Sequence, residues 1–288
     1  MAAPSFLGNS NGNTDAASPG IISMTGSPST GLTDNVFIAQ ILQDGATDYS
    51  PLTTDWSSLG DSFAALDGTV DSATYIGSFA GGGCWQHLYI GRMTTENLGA
   101  DPAVSGYASQ DIYCRMYFFA DVNAGTTLAD VIEQNGTTTP ATTSGTSNTI
   151  ADAGVITTGA DRLALNLVDV NDDNAVGAFT GMTGGTWAEA VAEYATASGT
   201  DGCIQLQTAA MATAGTIDGG TYTMAASDGW GSVGFALIGT TPGVAVPRSP
   251  GIDSGNAHFC KAWQAVRKWK HGSHGIMVPD IMFAQQGG

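Results

Sequence analysis

"TDNVFIAQILQDG", residues 33–45, is the stretch whose reading decides the fold. Val36, Ile38, Gln40 and Leu42 share one face of an extended chain, and Phe37, Ala39 and Ile41 share the other. Side chains alternate across a strand with a period of two, so here both faces are largely apolar. That is the pattern of a strand buried on both sides. Much the same pattern returns at residues 160–172 as "ADRLALNLVDVND".

The recurrence extends outward from these two stretches, in the same order each time. "DWSSLGDSFA" (55–64) lines up with "TWAEAVAEYA" (186–195), and "GCWQHLYIGRM" (83–93) with "GCIQLQTAAM" (202–211). "SQDIYCRMYFFADV" (109–122) lines up with "SDGWGSVGFALIGT" (227–240). The step from Cys84 to Ile112 is 28 residues and that from Cys203 to Trp230 is 27. From Trp56 to Cys84 it is 28, but from Trp187 to Cys203 only 16, so the first half carries a longer insertion. "ATYIGSFA" and "TYTMAA" read as further strands. "WAEAVAEYA" is ambiguous, since Ala and Glu favour helix and Trp187, Ala190, Val191 and Tyr194 fit helical spacing; strand is kept because of the alignment. "NGTTTPATTSGTSNT" (135–149) reads as a spacer between the halves.

Two sets of about four strands, each with a face to bury, need one another. The expected fold is therefore all-β: an antiparallel, jelly-roll-like sandwich of eight or more strands, built from two sequence repeats, with a short C-terminal amphipathic helix. Residues 1–30 read as an extended N-terminal arm. The sandwich covers 31–240, in halves of about 31–125 and 150–240, and 241–288 form a Pro/Gly linker and a basic segment.

The composition agrees. Gly occurs 40 times, and charged residues make up 12% of the chain, about half the usual share. The net charge of −18 repels phosphates, which argues against nucleic acid as a partner. No apolar run approaches the ~20 residues that cross a bilayer. "MAAPSFLGNSNGN" has neither a basic n-region nor an apolar h-region, so no signal peptide is expected. Cys84, Cys114, Cys203 and Cys260 match no zinc or disulfide spacing, and buried free thiols made in a reducing cytoplasm are expected.

Taken together, "DNVFIAQIL", a loop ending in Trp ("TTDWSSLGD"), a strand pair, a Thr/Ser-rich spacer, "ITTGADRLALNLVDV", "GGTWAEAVAEYAT" and a closing "GWGSVGFALIGT" resemble a family of jelly-roll domains. These occur in structural proteins of tailed bacteriophages and prophages, and the resemblance spans roughly residues 30 to 240. It implies a virion component, either a head decoration or spike protein or part of a tail or fibre. The family offers no catalytic residues to carry over. The implied partners are copies of the chain and other capsid or tail proteins, with host-surface glycans as the alternative; the implied location is the virion, after synthesis in the host cytoplasm.

"DVNDDN" (169–174) clusters the hard oxygens that calcium prefers, but it lacks the EF-hand glycine and glutamate and reads as a solvated acidic turn. His258, Cys260, His271 and His274 are zinc-type donors in no recognised spacing. Glu189 and Glu193 show no sign of facing each other across a cleft, as a glycosidase pair would. Trp56, Trp85, Trp187 and Trp230 suit sugar stacking, yet the matching of Trp56 with Trp187 favours packing. No enzyme activity, cofactor or metal is expected, although a carbohydrate-active enzyme is a third reading.

The end of the chain is different. Of the 26 acidic residues, 24 precede Arg248, against only Arg92, Arg115 and Arg162; Lys261, Lys268 and Lys270 are the only lysines. Phe259, Ala262, Trp263, Val266 and Trp269 recur at steps of three and four, giving one apolar stripe on a helix that Asn256 can cap and Gly272 can end. Lys261, Arg267, Lys268 and Lys270 lie on the other side. Phe259, Lys261, Trp263, Val266, Arg267, Lys268, Trp269 and Lys270 are therefore the expected partner-binding residues.

Overall fold

A computed structural model of the chain describes residues 2–11, 13–15, 20–21, 35–45, 47–48, 52–54, 60–62, 74–93, 103–105, 107, 112–171, 175–195 and 202–240. The chain divides into two units, Met1–Pro242 and Gly243–Gly288, and the second lies wholly outside the described residues.

The first unit is an antiparallel all-β sandwich. One sheet holds β1 (Ser5–Asn9), β2 (Asn13–Asp15), β4 (Val36–Asp44), β6 (Gly60–Ser62), β7 (Thr74–Ala80), β8 (Cys84–Met93) and β10 (Ile112–Ala120). Its order is β1-β10-β4-β8-β6, with β2 also on β10 and β7 also on β8. The other sheet holds β11 (Ile132–Glu133), β12 (Ala141–Ala151), β14 (Arg162–Val170), β15 (Ala188–Ala195), β16 (Gly202–Met211) and β18 (Thr221–Ile238). Its order is β11-β18-β14-β16-β15, with β12 also on β18. Each sheet is thus drawn from one half of the chain, and the two are wired alike: β4 lies between β10 and β8 as β14 lies between β18 and β16.

The double-sided burial of β4 and β14 has a physical cause, because each sheet is covered on both faces. Between the sheets lie Val36, Ile38, Leu88 and Ile90 from one side and Leu163, Leu165, Phe235 and Leu237 from the other. Behind the first sheet, Phe37, Ala39, Ile41 and Phe118 pack under Leu52, Val104 and Tyr107. A small sheet is formed there by β3 (Gly20–Ile21), β5 (Thr53–Thr54) and β9 (Ala103–Ser105). Behind the second, Ala164, Val168 and Val170 pack under Phe179, Trp187, Val155 and Ile217, the last two from the paired β13 (Val155–Thr157) and β17 (Gly215–Ile217). Phe37, Ile38, Leu88, Ile90, Phe118, Leu165, Leu167, Leu206, Phe235 and Leu237 are all buried.

Three segments differ from the sequence reading. The spacer contains a strand, β12, whose alternating Thr and Ser suit a pleated chain but carry no apolar face to betray it. "TYTMAA" and "GWGSVGFALIG" are parts of one 18-residue strand, β18. The start of the chain is extended, and β1 and β2 are paired along β10 rather than standing apart as an arm. "AEAVAEYA" is a strand on β16, so tertiary pairing overrides its helix propensity. Among the described residues the only helix is α1 (Leu128–Val131), and none is long and apolar enough to cross a membrane.

Candidate functional site

The layer between the sheets changes character along its length. Near Val36 and Leu237 its buried residues include the aliphatic and aromatic side chains of Ile38, Ile90, Phe119 and Phe235. Toward Asp44 and Val170 the same inward row of β4 brings Gln40, and the inward row of β8 brings Gln86 and Cys84. Gln40 Nε2 donates to the Val168 carbonyl of the opposite sheet at 3.0 Å, and its Oε1 accepts from Tyr117 Oη at 2.6 Å. Arg115, across the ladder from Gln40, is buried too.

The centre of this polar end is Asp169, fully buried on β14. Its Oδ1 accepts from Gln86 Nε2 at 2.7 Å and its Oδ2 from Cys84 Sγ at 3.0 Å, both from the opposite sheet. Glycine makes the room: a Cβ on Gly231 would stand 2.6 Å from Asp169 Oδ1, and one on Gly81 would collide with Oδ2. Beside it, Gly82 turns with φ +69° and lies against the backbone of Gly145 and Gly229, so the β7–β8 hairpin seats directly on the other sheet.

Burial pushes the Asp169 carboxyl up to about 6, although the bonds from Cys84 and Gln86 favour its charged form. Burial, with Asp169, Asp44 and Asp228 nearby, pushes the Cys84 thiol well above its ordinary range. A thiol held protonated is a poor nucleophile. Chemically, the arrangement joins two sheets through charge-assisted hydrogen bonds.

The outward faces carry their own polar contacts. Gln205 Nε2 donates to the Val176 and Gly177 carbonyls, and Gln207 Nε2 to Gly177, pinning the covering segment to β16. Asp152 Oδ2 accepts from Trp187 Nε1 at 2.8 Å and from the Gly220 amide. Glu133 holds Arg162 and Thr158. On the first sheet His87 Nε2 lies 2.9 Å from Gln43 Oε1, and burial lowers the imidazole to about 4.

Several expected sites look different here. Asp169 begins "DVNDDN" but lies on the buried strand β14; it is not part of a solvated turn, and residues 172–174 lie outside the described residues. Trp187 and Trp230 are buried, with their ring N–H groups on Asp152 and Ser147, and so offer no stacking platform. Trp85 is half-buried, and Trp56 lies outside the described residues. Glu189 is exposed on β15. Cys84, Cys114 and Cys203 are buried. Phe259, Lys261, Trp263, Val266, Arg267, Lys268, Trp269 and Lys270 lie outside the described residues, as do His258, Cys260, His271 and His274. Among the described residues no group of three or more His, Cys, Asp or Glu could hold a metal ion.

The joining of Cys84 and Gln86 to Asp169 was missed because "GCWQ" and "GCIQ" align in sequence but not in the ladders. Trp85 pairs with Gln43 on β4, whereas Cys203 pairs with Val170 on β14, the rung that corresponds to Gln43. The offset of one residue turns Cys84 and Gln86 inward and Cys203 and Gln205 outward.

A groove of about 200 Å³ opens between β7 and β12, lined by the hydroxyls of Ser78, Thr142 and Ser144 beside Phe79. Comparison of the chain with protein-family models, curated proteins and solved structures gave no match.

Proposed function

We propose that the chain is a structural component of a bacteriophage virion, present in many copies as a head decoration or spike protein or as part of the tail. In this reading its body is two repeat halves of about four strands each, laid face to face. A jelly-roll-like layering belongs to this reading; each sheet comes from its own half of the chain. Residues 241–288 are the anchor: a basic amphipathic helix beyond a Pro/Gly linker docks on an acidic neighbouring subunit.

The observation that carries this reading is where the chemistry-bearing side chains sit. Asp169, Cys84, Asp152 and Glu133 are buried, and each is bonded to a group on another strand or covering segment. They serve as struts, and catalysis and cofactor binding have no part in the proposal. The segregation of positive charge into the end of the chain supplies the second support.

Truncation at Thr241 tests it. The shortened chain is expected to stay folded and soluble but to fail to join the particle. Lys268→Glu with Lys270→Glu is expected to weaken joining more at low salt than at high salt. A truncated chain that joins as well as the full one would remove the anchor.

A second reading, a glycan-binding fibre module, is favoured by the hydroxyl-lined groove with its aromatic ring. A glycan array with the wild type and with Thr142→Ala/Ser144→Ala separates it: only a groove that binds sugar loses signal in the variant.

A further inference from the structure

Among the described residues the sandwich has four lateral edges, and three of them are blunted. An edge strand exposes unpaired backbone groups, and proteins guard such strands with bulges, charges or brevity. At one edge of the first sheet, β1 has five residues, and its register breaks between Phe6 and Gly8. At the other, β7 breaks between Tyr75 and Gly77. In the second sheet β15 breaks between Glu189 and Val191 and carries Glu189 and Glu193. Among the described residues the fourth edge, β12, carries no such guard over Ala141–Ser147. It pairs with β18 without interruption from Ala141↔Gly234 to Ser147↔Asp228, and its irregularity comes only after Ser147. It holds no proline and no charge over its 11 residues, and Thr142, Ser144 and Thr146 are exposed.

We propose that Ala141–Ser147 is a homotypic docking strand, which pairs antiparallel with the same strand of a second copy about a two-fold axis at Ser144. The proposal rests on the reading that the chain assembles in copies, and it names the surface.

Charge selects the occupant. The body carries 24 acids against three arginines before Arg248, so copies repel each other over most of their surface. Ala141–Ser147 and the facing Gly229–Gly234 of β18 form an uncharged strip. Asp228 lies at one end of it, opposite Ser147. Two-fold pairing places Ser147 of one copy against Ala141 of the other, so the two Asp228 carboxylates fall at opposite ends of the contact. Seven residues at about 3.4 Å each give a contact of roughly 20 Å, the length of an ordinary strand. The contact is isologous and closes as a dimer, joining the two second sheets into one.

Analytical ultracentrifugation of the full chain over a range of concentration and salt tests this. The wild type is expected to dimerise, and to do so more tightly as salt screens the acidic bodies. In the proposed register Thr142 faces Thr146 of the mate. Thr142→Lys/Thr146→Lys should therefore weaken dimerisation by about tenfold or more. Thr142→Lys/Thr146→Glu, which sets opposite charges together, should restore it. Both positions are exposed, and unchanged thermal melting would show that the variants fold. A wild type that stays monomeric at every concentration and salt overturns the proposal, as does a chain that dimerises only when truncated at Thr241. A dimer indifferent to Thr142→Lys/Thr146→Lys overturns the edge while leaving assembly in copies intact. Failure of the opposite-charge pair to rescue overturns the two-fold register. A chain truncated at Thr241 that still joins the particle, with dimerisation unchanged, would strike the anchoring function alone.

Discussion

Gln86 and Gln205 occupy the same place in the words "GCWQ" and "GCIQ", and they work on opposite sides of their sheets. Gln86 reaches inward to Asp169 of the facing sheet, while Gln205 reaches outward to the segment that covers its own sheet. The two sheets have the same strand order, so wiring does not explain the difference. One residue of register does, since every side chain on a strand changes face with a single step. Composition sets which groups a strand carries. The rung on which each group lands decides whether it binds sheet to sheet or sheet to cover.

Phe235→Ala is the strongest way to break the inward side. The ring is fully buried between the sheets, and its loss should cost about 3–5 kcal/mol in urea unfolding.

The pH dependence sharpens the same contrast, because an inward acid and an outward base oppose each other. Asp169 is raised from 3.8 to about 6, so its contribution is fully present below pH 3.8 and is lost as pH rises through about 6. His87 is lowered from 6.5 to about 4, so its contribution is present above pH 6.5 and is lost as pH falls through about 4. At about 1.4 kcal/mol per pH unit each amounts to roughly 3 kcal/mol, and the two slopes nearly cancel between pH 4 and 6. The advantage of wild type over Asp169→Asn should therefore fall by roughly that amount across this range. The advantage of wild type over His87→Gln should rise.

Smaller effects separate the two glutamines themselves. Gln86→Leu removes a donor to a buried carboxylate and should cost about 1.5–3 kcal/mol at pH 8, and less at pH 4 where Asp169 is protonated. Gln205→Leu removes bonds to neutral carbonyls and should cost about 1 kcal/mol, independent of pH.

Much of the fold was legible because burial on both faces leaves an unmistakable mark. The alternation of Val36–Leu42 and of Leu163–Val170 required cover on each side, and the outer layers supply it. Ile112 and Trp230, matched in sequence, do stand on corresponding rungs, beside Gln43 and Val170. The site was less legible. "GCWQ" and "GCIQ" invited alignment letter for letter, and only the hydrogen-bond ladders reveal the slip. Asp169 resembled the start of an acidic turn because the residues after it are acidic, and nothing local announced a partner 85 residues away. β12 escaped notice because neither of its faces is buried before Ile150.

In the proposed reading the inward polar cluster is a joint between sheets. Its most direct test is alkylation of the native protein, read by peptide mass spectrometry at Cys84, Cys114 and Cys203, each buried. We expect all three to label together, at the rate of global unfolding, with Cys84 no faster at pH 8 than Cys203. Rapid labelling of Cys84 in the folded protein, with Cys114 and Cys203 protected, would contradict the claim and mark the cluster as an accessible, activated thiol.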